Sequence, residues 1–121
     1  MSEDKIVLVI DDPTISKNLE AKLIESGYSV LVSAPHSQSA LSIILNSNPS
    51  VIVISVKLES EYSGIELAVR VKKEINIPII FISSSKNKEV YLKAKKINPI
   101  AYFTIPFEIE NLFSTIEIGL T

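Results

Sequence analysis

Two adjacent carboxylates, Asp11-Asp12, follow a continuous apolar run, Lys5-Ile-Val-Leu-Val-Ile10. Neighbouring anions at the end of a buried segment repel, and a divalent cation relieves that repulsion. Mg²⁺ is commonly held by one or two carboxylates plus water. The same pair has a plain structural use: Asp12 before Pro13 is a good helix N-cap, and Asp11 is then a solvated loop residue. A second apolar run, Val51-Ile-Val-Ile-Ser55, ends in a hydroxyl, and a third, Ile77-Pro-Ile-Ile-Phe-Ile82, runs into Ser83-Ser84-Ser85. A serine hydroxyl attacks only with a base beside it. The sole histidine, His36, reads as an exposed loop residue, so no serine–histidine hydrolase is legible. The absence of cysteine excludes thiolate metal sites and cysteine nucleophiles. The three glycines, Gly27, Gly64 and Gly119, form neither a P-loop nor a dinucleotide fingerprint.

The elements that must hold these residues alternate. At 121 residues and 46% hydrophobic content the chain suits one globular domain, residues 1–121. The apolar runs are too short for a signal peptide or a membrane span, so the expectation is a cytoplasmic protein with no membrane contact. A net charge of −2 gives no bulk attraction to nucleic acid. The continuous β-branched run at 51–55 predicts a strand buried on both faces; the apolar runs at 5–10 and 77–82 and the stretch 100–104 predict further strands, and the less apolar Tyr28–Ser33 predicts an edge strand. Between them lie helical patterns. Pro13 opens the first, with Ile15, Leu19 and Leu23 inward and Gly27 ending it. Ser37 caps the second, with Ala40, Leu41, Ile44 and Leu45 inward. Ser63-Gly-Ile-Glu66 matches a capping box for the third. The fourth spans about Lys86 to Ile97 and carries five lysines; Pro106 opens the fifth. Five βα units predict an α/β, doubly wound parallel sheet with five helices, a flavodoxin-like architecture. Strand order 2-1-3-4-5 places the ends of the first and third strands together at the switch point, where ligands of such sheets bind. Asp11, Asp12 and Ser55 then share one crevice, with Ser83 and Ile105 at its rim.

Taken in order, Ile-Asp11-Asp12-Pro, Pro49-Ser-Val-Ile-Val-Ile-Ser55, Ser63-Gly64-Ile-Glu-Leu, Ile77-Pro-Ile-Ile-Phe-Ile-Ser83 and Tyr102-Phe-Thr-Ile105-Pro106-Phe107 resemble the receiver domain of response regulators in two-component phosphorelays. The resemblance implies roles by position. Asp11 and Asp12 match the acidic pair that binds Mg²⁺. Ser83 matches the hydroxyl that contacts the phosphoryl group, and Tyr102 the aromatic switch. Ser55 stands where the phosphoaccepting aspartate belongs, and Ile105 where a lysine pairs with the phosphoryl group. The resemblance also implies a cis bond between Ile105 and Pro106, and a signalling face on the fourth helix, fifth strand and fifth helix. That face includes Lys88, Tyr91, Lys95, Tyr102, Glu108 and Asn111.

The two departures set the functional expectation. A carboxylate is already an anion, whereas a serine hydroxyl needs a base, and a neutral Ile105 offers nothing to charge on a transferring group. The expectation is a degenerate receiver, or pseudo-receiver. It is not an enzyme, requires no cofactor beyond weak Mg²⁺, and acts on a protein partner such as a sensor kinase or regulator. An alternative is an active receiver with altered chemistry, such as phosphoserine at Ser55. A flavodoxin-like nucleotide-binding protein is disfavoured by the missing phosphate loop. The helix-four lysines read first as a solvated face, with an acidic partner or nucleic acid as the functional alternatives, and the sequence sets no oligomeric state.

Overall fold

A computed structural model describes residues 4–120. Strands and helices alternate: β1 (Lys5–Val9), α1 (Pro13–Glu25), β2 (Ser29–Val32), α2 (Ser37–Ser47), β3 (Val51–Ser55), α3 (Ser63–Glu74), β4 (Ile79–Ser83), α4 (Lys88–Lys95), β5 (Ala101–Thr104) and α5 (Ile109–Gly119). The strands pair in parallel in the order β2-β1-β3-β4-β5, the arrangement the sequence predicts. β3 and β4 are buried along their whole length because helices cover both faces, while β2 is an exposed edge.

Alternation along the strands builds a core on each side of the sheet. Ile52, Ile54 and Phe81 pack with Ala40, Ile44, Leu67, Val71 and Val90 on the α2–α3–α4 side. Val51, Val53, Ile80 and Ile82 pack with Leu19, Leu23, Leu112 and Ile116 on the α1–α5 side. α1 starts as expected: the Asp12 carboxylate accepts from the Thr14 and Ile15 backbone N–H groups at 3.0 and 3.1 Å. Gly27 follows its last turn at φ 95°, a left-handed geometry that favours glycine.

Several local expectations are corrected. Ser37 does not cap α2; His36 holds the cap position, and Ser37 is the first helical residue. A carboxylate from a distant loop takes over the capping, as described below. Ser63 does not form a capping box with Glu66. Its hydroxyl is turned back into the preceding loop, accepting from the Leu58 and Ser60 N–H groups and donating to the Ser60 carbonyl. Leu45 is exposed, so the inward stripe of α2 is Ala40 and Ile44 with half-buried Leu41. α4 is shorter than its lysine pattern because the Asn87 side chain caps it by accepting from the Glu89 N–H. α5 begins at Ile109 rather than at Pro106, and the Ile105–Pro106 bond is cis, as the resemblance implies.

Candidate functional site

Register places Val9 beside Ile54, so the residues just beyond β1 meet the end of β3. There Asp11 and Ser55 bind each other twice. The Asp11 N–H donates to Ser55 Oγ at 3.0 Å, and the Ser55 hydroxyl donates to Asp11 Oδ1 at 3.0 Å. A serine hydroxyl has one proton, and here it is committed to that carboxylate. Ser55 is 2% exposed, so little of it faces a reactant. Asp12 uses Oδ1 to cap α1. Each member of the acidic pair therefore has one carboxylate oxygen engaged. Among the described residues, no group of three or more histidines, cysteines, aspartates or glutamates is placed to share a metal. Asp11, Asp12 and Ser55 thus bring together two carboxylates and one neutral hydroxyl.

On the neighbouring strand Ser83 is also buried, and its hydroxyl accepts from the Ser85 N–H at 3.0 Å and donates to the Ser85 carbonyl at 3.3 Å. It therefore closes its own loop rather than reaching toward Ser55. A cavity of about 240 Å³ opens beside it, lined by Val56, Lys57, Glu61 and Ser83 to Ser85. Asp11 lines a separate depression of about 360 Å³ between the start of α1 and the β2–α2 loop. Ile105 anchors its backbone N–H to the Ser83 carbonyl at 2.9 Å, while its half-buried side chain packs against the α1–α5 core.

The model of the response regulator receiver domain matches residues 6–117. This chain belongs to the response regulator receiver family. Solved structures agree. The signal receiver domain of a modulated diguanylate cyclase from Desulfovibrio desulfuricans G20 is 28% identical, with 98% of this chain and 94% of that chain covered and a TM-score of 0.86. A Francisella response regulator 1452 receiver domain is 30% identical over 97% of this chain and 96% of that chain, with a TM-score of 0.83. A CheY-like receiver domain protein from Methanospirillum hungatei JF-1, at 24% identity, matches in fold with a TM-score of 0.87 over 98% of this chain and 94% of that chain. Comparison with the curated proteins finds no match. The chain is therefore a receiver domain of a response-regulator signalling system, a class that works through protein partners such as kinases and effectors. Among the described residues no helix is long and apolar enough to cross a membrane.

The β3–α3 loop of the receiver is held from outside. Glu59 accepts from the Ser37 N–H at 2.7 Å and from the Ser37 hydroxyl at 2.8 Å, so it caps α2 from across the chain. These bonds hold the Glu59 carboxylate well below its ordinary range, at about 2, the backbone N–H of Ser37 being the larger cause and its hydroxyl the next. A carboxylate whose folded pKa is depressed stabilises the fold above its unfolded pKa and loses that contribution as pH falls toward the folded value. Glu59→Gln is thus expected to lower the melting temperature at pH 6 by less than about 5 °C, the side chain being exposed and screened. The difference from wild type should shrink as pH falls from 5 to 2. Thermal melts across that range check this, and a gap independent of pH would show that charge is not what the clip uses.

At the other edge of the site Tyr102 meets Tyr91 edge-on, with ring centroids 5.2 Å apart. The Tyr102 hydroxyl is buried and has no hydrogen-bond partner. Lys88, Tyr91 and Lys95 are exposed on α4, and Glu108 and Asn111 are exposed at the start of α5. Sequence reasoning missed three structural contributors: Glu59, Gly64 and Tyr62. Gly64 brings α3 against the end of β3, its N–H donating to the Val56 carbonyl at 2.7 Å. The Tyr62 ring lies under the Lys93 ammonium, 5.1 Å from its centroid. A glycine placed just inside a helix, where it weakens the helix, was the one available signal.

Proposed function

We propose that this receiver is degenerate and signals without aspartyl phosphorylation, through protein contact on the α4–β5–α5 face. The observation that carries the reading is Ser55: a buried, neutral hydroxyl bound both ways to Asp11 where the acceptor carboxylate belongs. Ile105 adds to it, since an aliphatic side chain packed in the α1–α5 core brings no positive charge to a phosphoryl group. In this reading the domain is not an enzyme, needs no cofactor, binds Mg²⁺ at millimolar affinity or worse, and meets a sensor kinase or regulator in the cytoplasm. Lys88, Tyr91, Lys95, Tyr102, Glu108 and Asn111 form the contact face.

The test is incubation with acetyl phosphate and Mg²⁺ followed by intact mass. No gain of a phosphoryl group is expected. A gain that hydroxylamine removes, mapped to Asp11 or Asp12, sinks the reading. A second reading has one observation in its favour, since Ser55 Oγ and Asp11 Oδ1 stand 3.0 Å apart, within the range of a nucleophile and its base. A gain at Ser55 that survives hydroxylamine would establish that alternative, phosphoserine in an altered active receiver.

A further inference from the structure

Five of the chain's twelve basic residues and one of its fourteen acidic ones lie within residues 86–96. That stretch carries +4, while the remainder of the chain carries −6. Charge is therefore separated on this molecule, and α4 is where the positive part gathers. Among the described residues the one salt bridge is Lys22–Glu110, and none of the α4 lysines is ion-paired with another of them. Lys93 rests on the Tyr62 ring, and among the described residues no ion pair or hydrogen bond holds an ammonium group of this set.

The lysines frame an apolar strip. Lys88, Tyr91, Leu92 and Lys95 follow the i, i+3, i+4, i+7 spacing that defines one helix face, and all four are exposed. Tyr91 and Leu92 thus sit between a cation at one end and Lys95 with Lys96 at the other. At 1.5 Å rise per residue the framing charges are about 10 Å apart. Depressions of about 600, 340 and 520 Å³ flank this helix, the first around Leu92, Lys93 and Lys96, the others between Tyr91 and β5. Tyr102 lines the last two, and its hydroxyl is buried without a hydrogen-bond partner. A buried donor left unpaired costs free energy, and an incoming acceptor recovers it.

Building on the proposed contact face, we infer that the partner of this receiver presents an acidic amphipathic helix: one or two apolar side chains for Tyr91 and Leu92, bracketed by carboxylates for Lys88 and Lys95. A second copy of the chain fits less well. On α5, Glu110 is already paired with Lys22, and Glu117 accepts from the Tyr28 hydroxyl. Nucleic acid fits less well too, because a phosphate backbone leaves Tyr91 and Leu92 uncovered and meets −6 on the rest of the chain.

The probe is a synthetic alanine-rich helical peptide with glutamates at i and i+7 and leucines at i+3 and i+4, followed by fluorescence anisotropy. It is expected to bind with Kd below about 100 μM at low salt and to weaken severalfold as the Debye length shortens to ~5 Å. Replacing its glutamates by glutamine, or Leu92→Ser in the receiver, should weaken binding at least about tenfold. Tyr102→Phe should weaken it a few-fold while raising the melting temperature of the free domain. The double variant Lys88→Glu/Lys95→Glu should lose the peptide and take up the version with lysines at i and i+7, a swap that misfolding cannot imitate. The inference is overturned if the acidic peptide does not bind wild type, or if the charge-reversed receiver binds it equally. It is also overturned if poly(U) RNA or phosphatidylserine vesicles bind tighter than the peptide, or if sedimentation shows a dimer that the α4 reversal dissociates. Intact mass after acetyl phosphate separates the two claims. A phosphoryl group on an aspartate would remove the phosphorylation-independent reading whatever the peptide does. No phosphoryl group together with no peptide binding would remove the acidic-helix inference alone.

Discussion

Gly64→Ala should leave little folded protein. A Cβ at that position points onto the Ser55 carbonyl oxygen and stands 2.8 Å from the Val56 carbonyl oxygen. Both are backbone atoms at the end of the central strand, so neither can rotate aside, and relief requires α3 to back away from β3. That breaks the bond from the Gly64 N–H to Val56 and opens the α2–α3–α4 core, to which Ile65, Leu67 and Ala68 contribute. The expected loss is about 4 kcal/mol or more, a large share of the ~5–15 kcal/mol typical of a domain. Gly119→Ala is the control. Its Cβ would meet the Ile100 Cδ1 at 2.7 Å, the mobile end of an exposed side chain. Removing a helical glycine returns ~0.5–1 kcal/mol, so the net change should be small. Denaturant melts of both variants check the pair, and comparable stabilities would show that the α3–β3 approach tolerates adjustment.

Ser55→Asp is expected to make the stability of the domain depend strongly on Mg²⁺. The serine hydroxyl supplies the proton that satisfies Asp11 Oδ1. An aspartate has no proton to give and sets a second anion against the first. In chelator the variant should lose roughly 2–4 kcal/mol. Three carboxylates then attract the cation. At a hundredfold excess over Kd, Mg²⁺ returns ~2.7 kcal/mol, against ~0.4 kcal/mol for wild type at a concentration equal to its Kd. Phosphoryl incorporation from acetyl phosphate should stay poor in this variant, because Ile105 still packs its aliphatic side chain in the α1–α5 core. Adding Ile105→Lys should raise it to a level plainly visible by intact mass, the lysine stem keeping part of that packing while its ammonium reaches the crevice. If the double variant folds, binds Mg²⁺ and takes up nothing, Ser55 and Ile105 are not the decisive departures.

The fold was legible because its signals are redundant. Apolar runs, proline and glycine at helix ends and short connections all point to one strand order, and the runs at 51–55 and 79–83 are buried where their composition says, while β5 is half-buried. The Asp11–Ser55 neighbourhood followed from that order. Local capping was not legible. Ser37 and Ser63 carry the right side chains at helix starts, but Glu59, from a loop 22 residues away, takes the first, and the second bonds back into its own loop. Pattern within a window cannot show a competitor that arrives through the tertiary fold. The two-way bond between Asp11 and Ser55 was hidden for the same reason, since it depends on a backbone N–H as much as on side-chain type. The partnerless Tyr102 hydroxyl depends on Tyr91 folding over it, which only the placement of α4 reveals.

α4 has eight residues and buries two of them, Val90 and Ala94. A helix this short with two buried side chains is expected to open locally at a lower free energy than the central strands. A partner that docks on it must also spend part of its interaction energy on keeping the helix formed. If the domain signals by contact alone, as proposed above, the lifetime of that helix would set the lifetime of the contact.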